Sequence, residues 1–258
     1  MKLIKSDIFG KVRQPASFDD LIKAIHNGRL ENSSFITRMW RGQGSIDWPV
    51  HSSGYRRVHP NNDRCLASYE VRLLKQATHN GYRFLDGREL SDMELLARLQ
   101  HHGAATRLVD TSKNALVALW FCCVSEPNKT GALIGIHTDH LGGYEGEPEI
   151  RPYKEVVEEL EDMDYPMTWE PPSITKRIAA QHSQFLYSSV KNDKRGSLAL
   201  PKDDDITYIF AIPPSLKEKC LTILQEAYDI RHLTLFPDLD GFGQANSHEK
   251  YEFYNNRW

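Results

Sequence analysis

Residues 91–123 read SDMELLARLQHHGAATRLVDTSKNALVALWFCC. Ser91 with Glu94 three positions on has the spacing of a capping box, Leu90 and Leu95 are placed for a hydrophobic staple, and Gly103 supplies a terminator. The spacing predicts a helix that carries His101 and His102 to its C-terminal end. A short polar connection follows, with Thr106, Arg107, Asp110, Thr111 and Ser112. The next run, KNALVALWFCCV (113–124), is apolar on nearly every side, so it reads as a buried central helix capped by Thr111 or Ser112. Charges and hydroxyls at the mouth of such a helix are expected to line a cleft whose floor the helix anchors.

Working outward, Ser17 opens an apolar-periodic helix through Leu21, Ile22 and Ile25 that ends at Gly28. SFITRMWRGQ (34–43) reads as a strand closed by Gly42 and Gly44, CLASYEVRLLKQAT (65–78) as a helix, and GALIGIHT (131–138) as a strand. Residues 139–172 turn rich in Pro, Gly and acid, the character of an insertion with one short acidic helix. ITKRIAAQHSQFLYSS (174–189) reads as strand-like or irregular, and ITYIFAI (206–212) as a strand. SLKEKCLTILQEAY (215–228) reads as a capping-box helix from Ser215 and Glu218, HLTLF (232–236) as a last short strand, and 247–258 as a polar-aromatic tail. Strands and helices alternate without a regular βαβ rhythm. The expected class is α+β, a mostly antiparallel central sheet with flanking helices. One domain over 1–258 is expected, with its core at about 35–243.

Of the 258 residues 40% are hydrophobic and 26% charged, and the net charge of −3 excludes a globally basic nucleic-acid coat, so any phosphate binding must be local. No stretch approaches a signal peptide or a membrane span, and four scattered cysteines suit a reduced compartment, so a cytoplasmic protein without a membrane partner is expected. Dinucleotide-binding, P-loop and nucleophile-elbow motifs are absent. His137, Asp139 and His140, like Cys122 and Cys123, lack the ligand spacing of a structural zinc site, so no metal is expected.

Four places can carry chemistry. In WRGQGSIDWPVHSSGYRR (40–57), Arg41 ends a strand before two glycines that let backbone approach a ligand, and its planar fork suits phosphate or carboxylate. The alternative is a pair with a buried carboxylate. Arg56, Arg57 and Arg64, with His51 and His59, make the following loop the most basic local segment, either a phosphate contact or solvated charge. Arg107 and Asp110 are spaced to pair with each other or to staple their loop to neighbours. His101 or His102 is a candidate acid–base group, but adjacent helical residues point about 100° apart, so at most one faces a site. Finally, RIAAQHSQF (177–185) spaces Arg177, Gln181 and Phe185 as one helical face, or else lets Gln181 read a polar ligand edge over Phe185.

WRGQ, QHHGAATRLVDTSKNALVALWF, RIAAQHSQF and LTLFPDLDGFG (233–243), in that order, resemble the FRG domain family, named for a Phe-Arg-Gly motif in its first strand. Here Trp40 replaces that Phe, LVDTS lacks the usual Trp, and Ser183 stands for a Gly. The motif order is in turn similar to that of ADP-ribosyltransferases, which implies an ADP-ribosyltransferase-like fold and NAD as substrate. The resemblance implies catalytic roles for Arg41, Gln181, Asp110 and His101. It implies NAD contacts from Arg41, Gly42, Gln43, Ser53, Tyr55, Arg56, Thr106, Arg107, Thr111 and Phe185. Gln181 stands where such enzymes carry a glutamate; Asp110, with Glu70 and Glu94 behind it, is the carboxylate that could replace it. The implied role is a toxin or effector of bacterial anti-phage defence with a nucleic-acid or protein acceptor and room for a cognate antitoxin or immunity partner. Two other readings stand beside it: a non-enzymatic nucleotide- or nucleic-acid-binding module using GYRRVHPNNDR (54–64), and a nuclease using His101 or His102.

Overall fold

The computed structural model describes residues 1–27, 38–143, 146–201 and 207–247. The ends of the strand expected at 34–43 and of the first helix at Gly28, and most of the C-terminal tail, lie outside them. The chain runs β1 (Lys2–Ser6), β2 (Gly10–Gln14), α1 (Phe18–Asn27), β3 (Arg38–Gln43), α2 (Ser53–Arg57), α3 (Asp63–His79), β4 (Phe84–Leu85), β5 (Arg88–Glu89) and α4 (Asp92–His101). It continues with β6 (Val109–Ser112), α5 (Ala115–Val124), β7 (Gly131–His137), a 3-10 turn (Thr138–His140), α6 (Tyr153–Glu161), β8 (Met167–Trp169) and α7 (Lys176–Ala180). The last elements are β9 (Ser183–Tyr187), β10 (Thr207–Ile212), α8 (Pro214–Tyr228), α9 (His232–Leu235) and α10 (Leu239–Ala245).

Eight of these strands form one sheet in the order β1-β2-β10-β7-β3-β6-β9-β8. Neighbours are antiparallel except for the parallel pair β2 and β10. The class is therefore α+β with a mixed, mostly antiparallel sheet. β3 pairs with β7 along its whole length, whereas β3 and β6 are in register only at Trp40 opposite Ser112. The sheet thus comes apart between β3 and β6, the fourth and third strands from the β8 edge, and the residues after Trp40 face a gap that backbone hydrogen bonds do not close.

Three apolar clusters hold the layers. α1, α5 and α8 pack with Trp40, Leu133 and Phe210, α3, α4 and α6 pack with Trp169 and Phe185, and a third cluster joins Met39, Ile134, Ile209 and Leu186. Contact of α5 with β3 needs Gly42. A Cβ there would lie 1.8 Å from the Ala118 carbonyl oxygen and 2.6 Å from the Cys122 nitrogen. The reason for this glycine is therefore helix packing, where the sequence suggested approach of a ligand. Buried Lys217 of α8 donates to the carbonyls of Gly44, Ser125 and Glu126 at 2.8, 2.9 and 2.9 Å, locking the end of β3 to the end of α5.

The capping box of α4 is present as read, Ser91 Oγ accepting from Glu94 N and Glu94 from Ser91 N, and Gly103 has φ +87°. Elsewhere the local reading needs correction. Val109–Ser112, read as part of a connection between helices, is a strand. α5 is capped by Asn114, whose side chain accepts from Leu116 N, while Ser112 Oγ accepts from Asn114 N. α8 starts at Pro214 with no side-chain cap, because a proline at the first helical position leaves Ser215 already inside the turn. HLTLF is the short helix α9, its apolar run being too brief to distinguish strand from helix by period. RIAAQHSQF is a helix followed by a strand, broken at His182 with φ +47°. Within 139–172 the expected short acidic helix is α6, whose Tyr153 is 2% exposed, and β8 is an edge strand of the main sheet.

Candidate functional site

At the gap between β3 and β6 lies a cavity of about 340 Å3. β3 contributes Trp40, Arg41 and Gly42; the end of α4 contributes Gln100 and His101; β6 contributes Asp110, Thr111 and Ser112. α5 supplies Ala118 and Phe121, α7 and its C-cap supply Arg177 and Gln181, and Ser183 and Phe236 complete the wall. Arg41, Asp110, His101 and Gln181, separated by up to 140 positions in the chain, thus surround one space.

Arg41 spans the gap. Its Nη1 donates to the Asp110 main-chain oxygen at 2.8 Å, and its Nε donates to Gln43 Oε1 at 3.2 Å. It forms no ion pair among the described residues, which removes the alternative of a buried carboxylate partner, and Nη2 keeps its donors for something else. Burial pulls its basicity down, opposed by the attraction of Asp110 and assisted by repulsion from Arg56. A half-desolvated cation without a salt bridge is an anion site in waiting.

Asp110 is exposed, and its Oδ1 accepts from Gln100 Nε2 at 2.7 Å. Gln100 Oε1 accepts from the Thr106 hydroxyl. Thr106, fully buried, is stitched to α2, its N donating to Ser53 Oγ at 3.0 Å and its O accepting from it at 3.3 Å. A relay from Ser53 through Thr106 and Gln100 therefore holds the Asp110 carboxylate. His101 Nδ1 lies 3.0 Å from Thr175 Oγ1, the cap of α7 that also accepts from Ile178 N. Burial holds the His101 pKa below the ordinary histidine value, Asp110 opposing and Arg177 assisting.

Gln181 is anchored: Nε2 donates to the Leu235 carbonyl at 3.0 Å and its main-chain oxygen accepts from Ser112 Oγ at 2.7 Å. Arg177 is a second guanidinium on the wall, but it is engaged, donating Nε and Nη2 to the two carboxylate oxygens of Asp238 and Nη1 to the His101 carbonyl. Its charge also lies 5.2 Å from the Phe236 ring. Arg177 holds the Asp238 carboxyl below its usual range, and Asp238 caps α10.

Several expected contacts lie elsewhere. Arg107 does not touch the cavity or Asp110's side chain. It is 1% exposed, donates from N and Nε to Glu70 at 2.6 and 2.8 Å and from Nε to Tyr153 OH at 2.9 Å, and reaches Asp63 at 3.4 Å. Burial works against that charge, but Tyr153, Glu70 and Asp63 outweigh it and the guanidinium is held more firmly than usual. Glu70 and Glu94 are likewise committed, Glu94 to Arg88 and Ser91, so neither backs up Asp110 at the cavity. Gln43 is buried, and its Nε2 donates to the Trp48 carbonyl, so it orients Arg41 rather than meeting a ligand. Ser53 and Thr106 act through the relay. The Tyr55 ring stacks on His51 at 4.5 Å, and Arg56 donates to the His51 carbonyl; neither lines the cavity. Thr111 lines it but spends its hydroxyl on the Gln184 carbonyl at 2.7 Å. Phe185 is sealed in the core against Trp169. Of the two histidines only His101 is on the wall, while exposed His102 lies 3.7 Å from Asp240. Gln100, Phe121 and Phe236 lie within the quoted motif segments but were not singled out, since no capping or spacing signal separates them from their neighbours.

Fold and site together define an α+β protein with a strand-end arginine that has no ion pair among the described residues and an exposed aspartate held by Gln100 on the same cavity. Residues 37–131 match the family model of the FRG domain, a segment that contains β3, α4, β6 and α5 and so supports the FRG domain family. No curated protein and no solved structure matches the chain.

Proposed function

We propose that the Arg41 cavity takes NAD and transfers its ADP-ribose to an acceptor. The observation that carries this reading is the convergence of an unpaired guanidinium nitrogen, a carboxylate with one unengaged oxygen, and an imidazole around one space. A cavity of about 340 Å3 is within the range of small-molecule sites and suits half of a dinucleotide rather than the whole, the remainder lying outside. Arg41 suits a phosphate oxygen of the pyrophosphate, and Phe121 and Phe236 suit the flat face of nicotinamide.

In the reaction the bond between ribose C1′ and the nicotinamide nitrogen breaks, its electron pair leaving with nicotinamide. A lone pair of the acceptor forms the new bond to C1′. The acceptor proton passes to a base, for which His101 is suited because burial favours its uncharged form. Positive charge on the ribose as nicotinamide leaves is met by Asp110, the charge that Gln181 lacks. Gln181 retains an amide oxygen for a ribose hydroxyl. In the setting the family resemblance suggests, such a transferase would act as a toxin or effector of bacterial defence.

A second reading is binding of a nucleotide without turnover, favoured by the neutral Gln181 held by Leu235. Incubation with NAD labelled in the adenylate, with and without cell extract, separates the two. Transfer and nicotinamide release, abolished in Arg41→Ala and reduced about 100-fold or more in Asp110→Asn, support the transferase. Saturable NAD binding without release leaves the binding module, and absence of both removes the cavity from consideration as a nucleotide site.

A further inference from the structure

α3 carries charge on two sides. Asp63 and Glu70 turn inward to Arg107. Arg64, Ser68 and Arg72 recur every four residues on another side and are exposed. With Arg57 and His59 from the preceding segment they line a groove of about 880 Å3. Among the described residues no carboxylate lines this groove, and none of Arg57, Arg64 and Arg72 forms an ion pair. In a chain of net charge −3, three uncompensated guanidiniums gathered in one concavity make a local field of the opposite sign.

We propose that this groove binds the sugar-phosphate backbone of a single-stranded nucleic acid. Arg64 and Arg72 are two helical turns, about 12 Å, apart along the axis, so they meet separate phosphates of a polymer rather than one small anion. Half-buried Tyr69 forms part of the wall with the Arg57 guanidinium 5.5 Å from its ring centre, an aromatic and cationic platform on which a base can stack. Arg57 of α2 lines the groove, and its neighbour Arg56 is the residue whose charge repels Arg41. Binding stands on the groove alone; the further statement that the bound strand is the ADP-ribose acceptor rests on the transferase reading above.

The test is fluorescence anisotropy of labelled 20-nucleotide single-stranded RNA and DNA against the full chain across a sodium chloride series. With about three phosphates neutralised, log K should fall with log salt at a slope near −2. The variant R57Q/R64Q/R72Q, confirmed folded by circular dichroism, should bind at least tenfold more weakly with a flattened slope. Tyr69→Leu should weaken binding several-fold and leave the slope unchanged. No binding at low salt, an unchanged triple variant, or inorganic polyphosphate competing equally while Tyr69→Leu has no effect would each overturn the proposal. The triple variant should keep any NAD-dependent thermal shift of the wild type. Oligonucleotide binding without an NAD shift in the wild type therefore removes only the transferase reading, and an NAD shift without oligonucleotide binding removes only the groove.

Discussion

Two arginines, Arg41 and Arg107, show how environment assigns opposite tasks to one side chain. Arg107 is enclosed by Glu70, Tyr153 and Asp63, and its charge belongs to the interior. Tyr153 donates to Glu70 in turn, and burial first, then the Glu70 charge, pushes its phenol far above the ordinary range. Removing one member strands the others without solvent. Glu70→Ala is expected to lower unfolding free energy by about 3–5 kcal/mol, read from urea denaturation, because a buried guanidinium loses its counter-charge. Arg41→Ala, at a site with no ion pair, should unfold at nearly the wild-type urea concentration. Equal losses in the two variants would contradict the division of roles.

At the scale of elements, the site depends on how closely α5 approaches β3. That approach sets the position of Arg41 relative to Asp110, since both strand and helix bear on the same gap. Gly42→Ala should therefore do more than change a propensity: the added methyl meets the Ala118 carbonyl, which is backbone and cannot swing aside. A loss of about 1–3 kcal/mol or more is expected from overpacking, seen as a lower Tm together with weaker ligand binding at Arg41. A variant that kept both would show that the two elements slide without consequence. The helix grammar of α4 was legible because a capping box and a terminal glycine act within one turn of backbone. The helix at 215–228 was read as a helix but with a cap at Ser215 that Pro214 displaces, and α9 was read as a strand because its apolar run is too brief to show a period.

Across the whole molecule, burial of histidines couples stability to pH. His51, His101 and His137 are each held below the ordinary value of 6.5, burial being the largest cause in all three; Arg56 adds to it at His51, while Asp139 opposes it at His137. In the unfolded chain they return to about 6.5. Below that pH the unfolded state binds more protons than the folded one, so stability falls as pH drops through 6.5 toward the lowered folded values. Differential scanning fluorimetry should show Tm declining between pH 7 and 5, with part of the slope lost in His101→Asn. A flat profile would mean that these rings are solvated.

The sequence alone established the α+β class, the cap and stop of α4 and the apolar α5, which are consequences of hydrophobic period and local capping acting over short distances along the chain. Arg41, Asp110, His101 and Gln181 were named together through the family resemblance, and the structure places them around one cavity. The sequence could not show that Arg107 turns inward, that Gln43 and Thr106 orient other groups, that Phe185 is sealed, or that Arg177 is taken by Asp238. Each of these depends on which distant partner packing brings within hydrogen-bonding distance. A guanidinium next to a carboxylate is structural and one next to a gap is available, and only the tertiary arrangement of β3, β6, α3 and α7 decides between them.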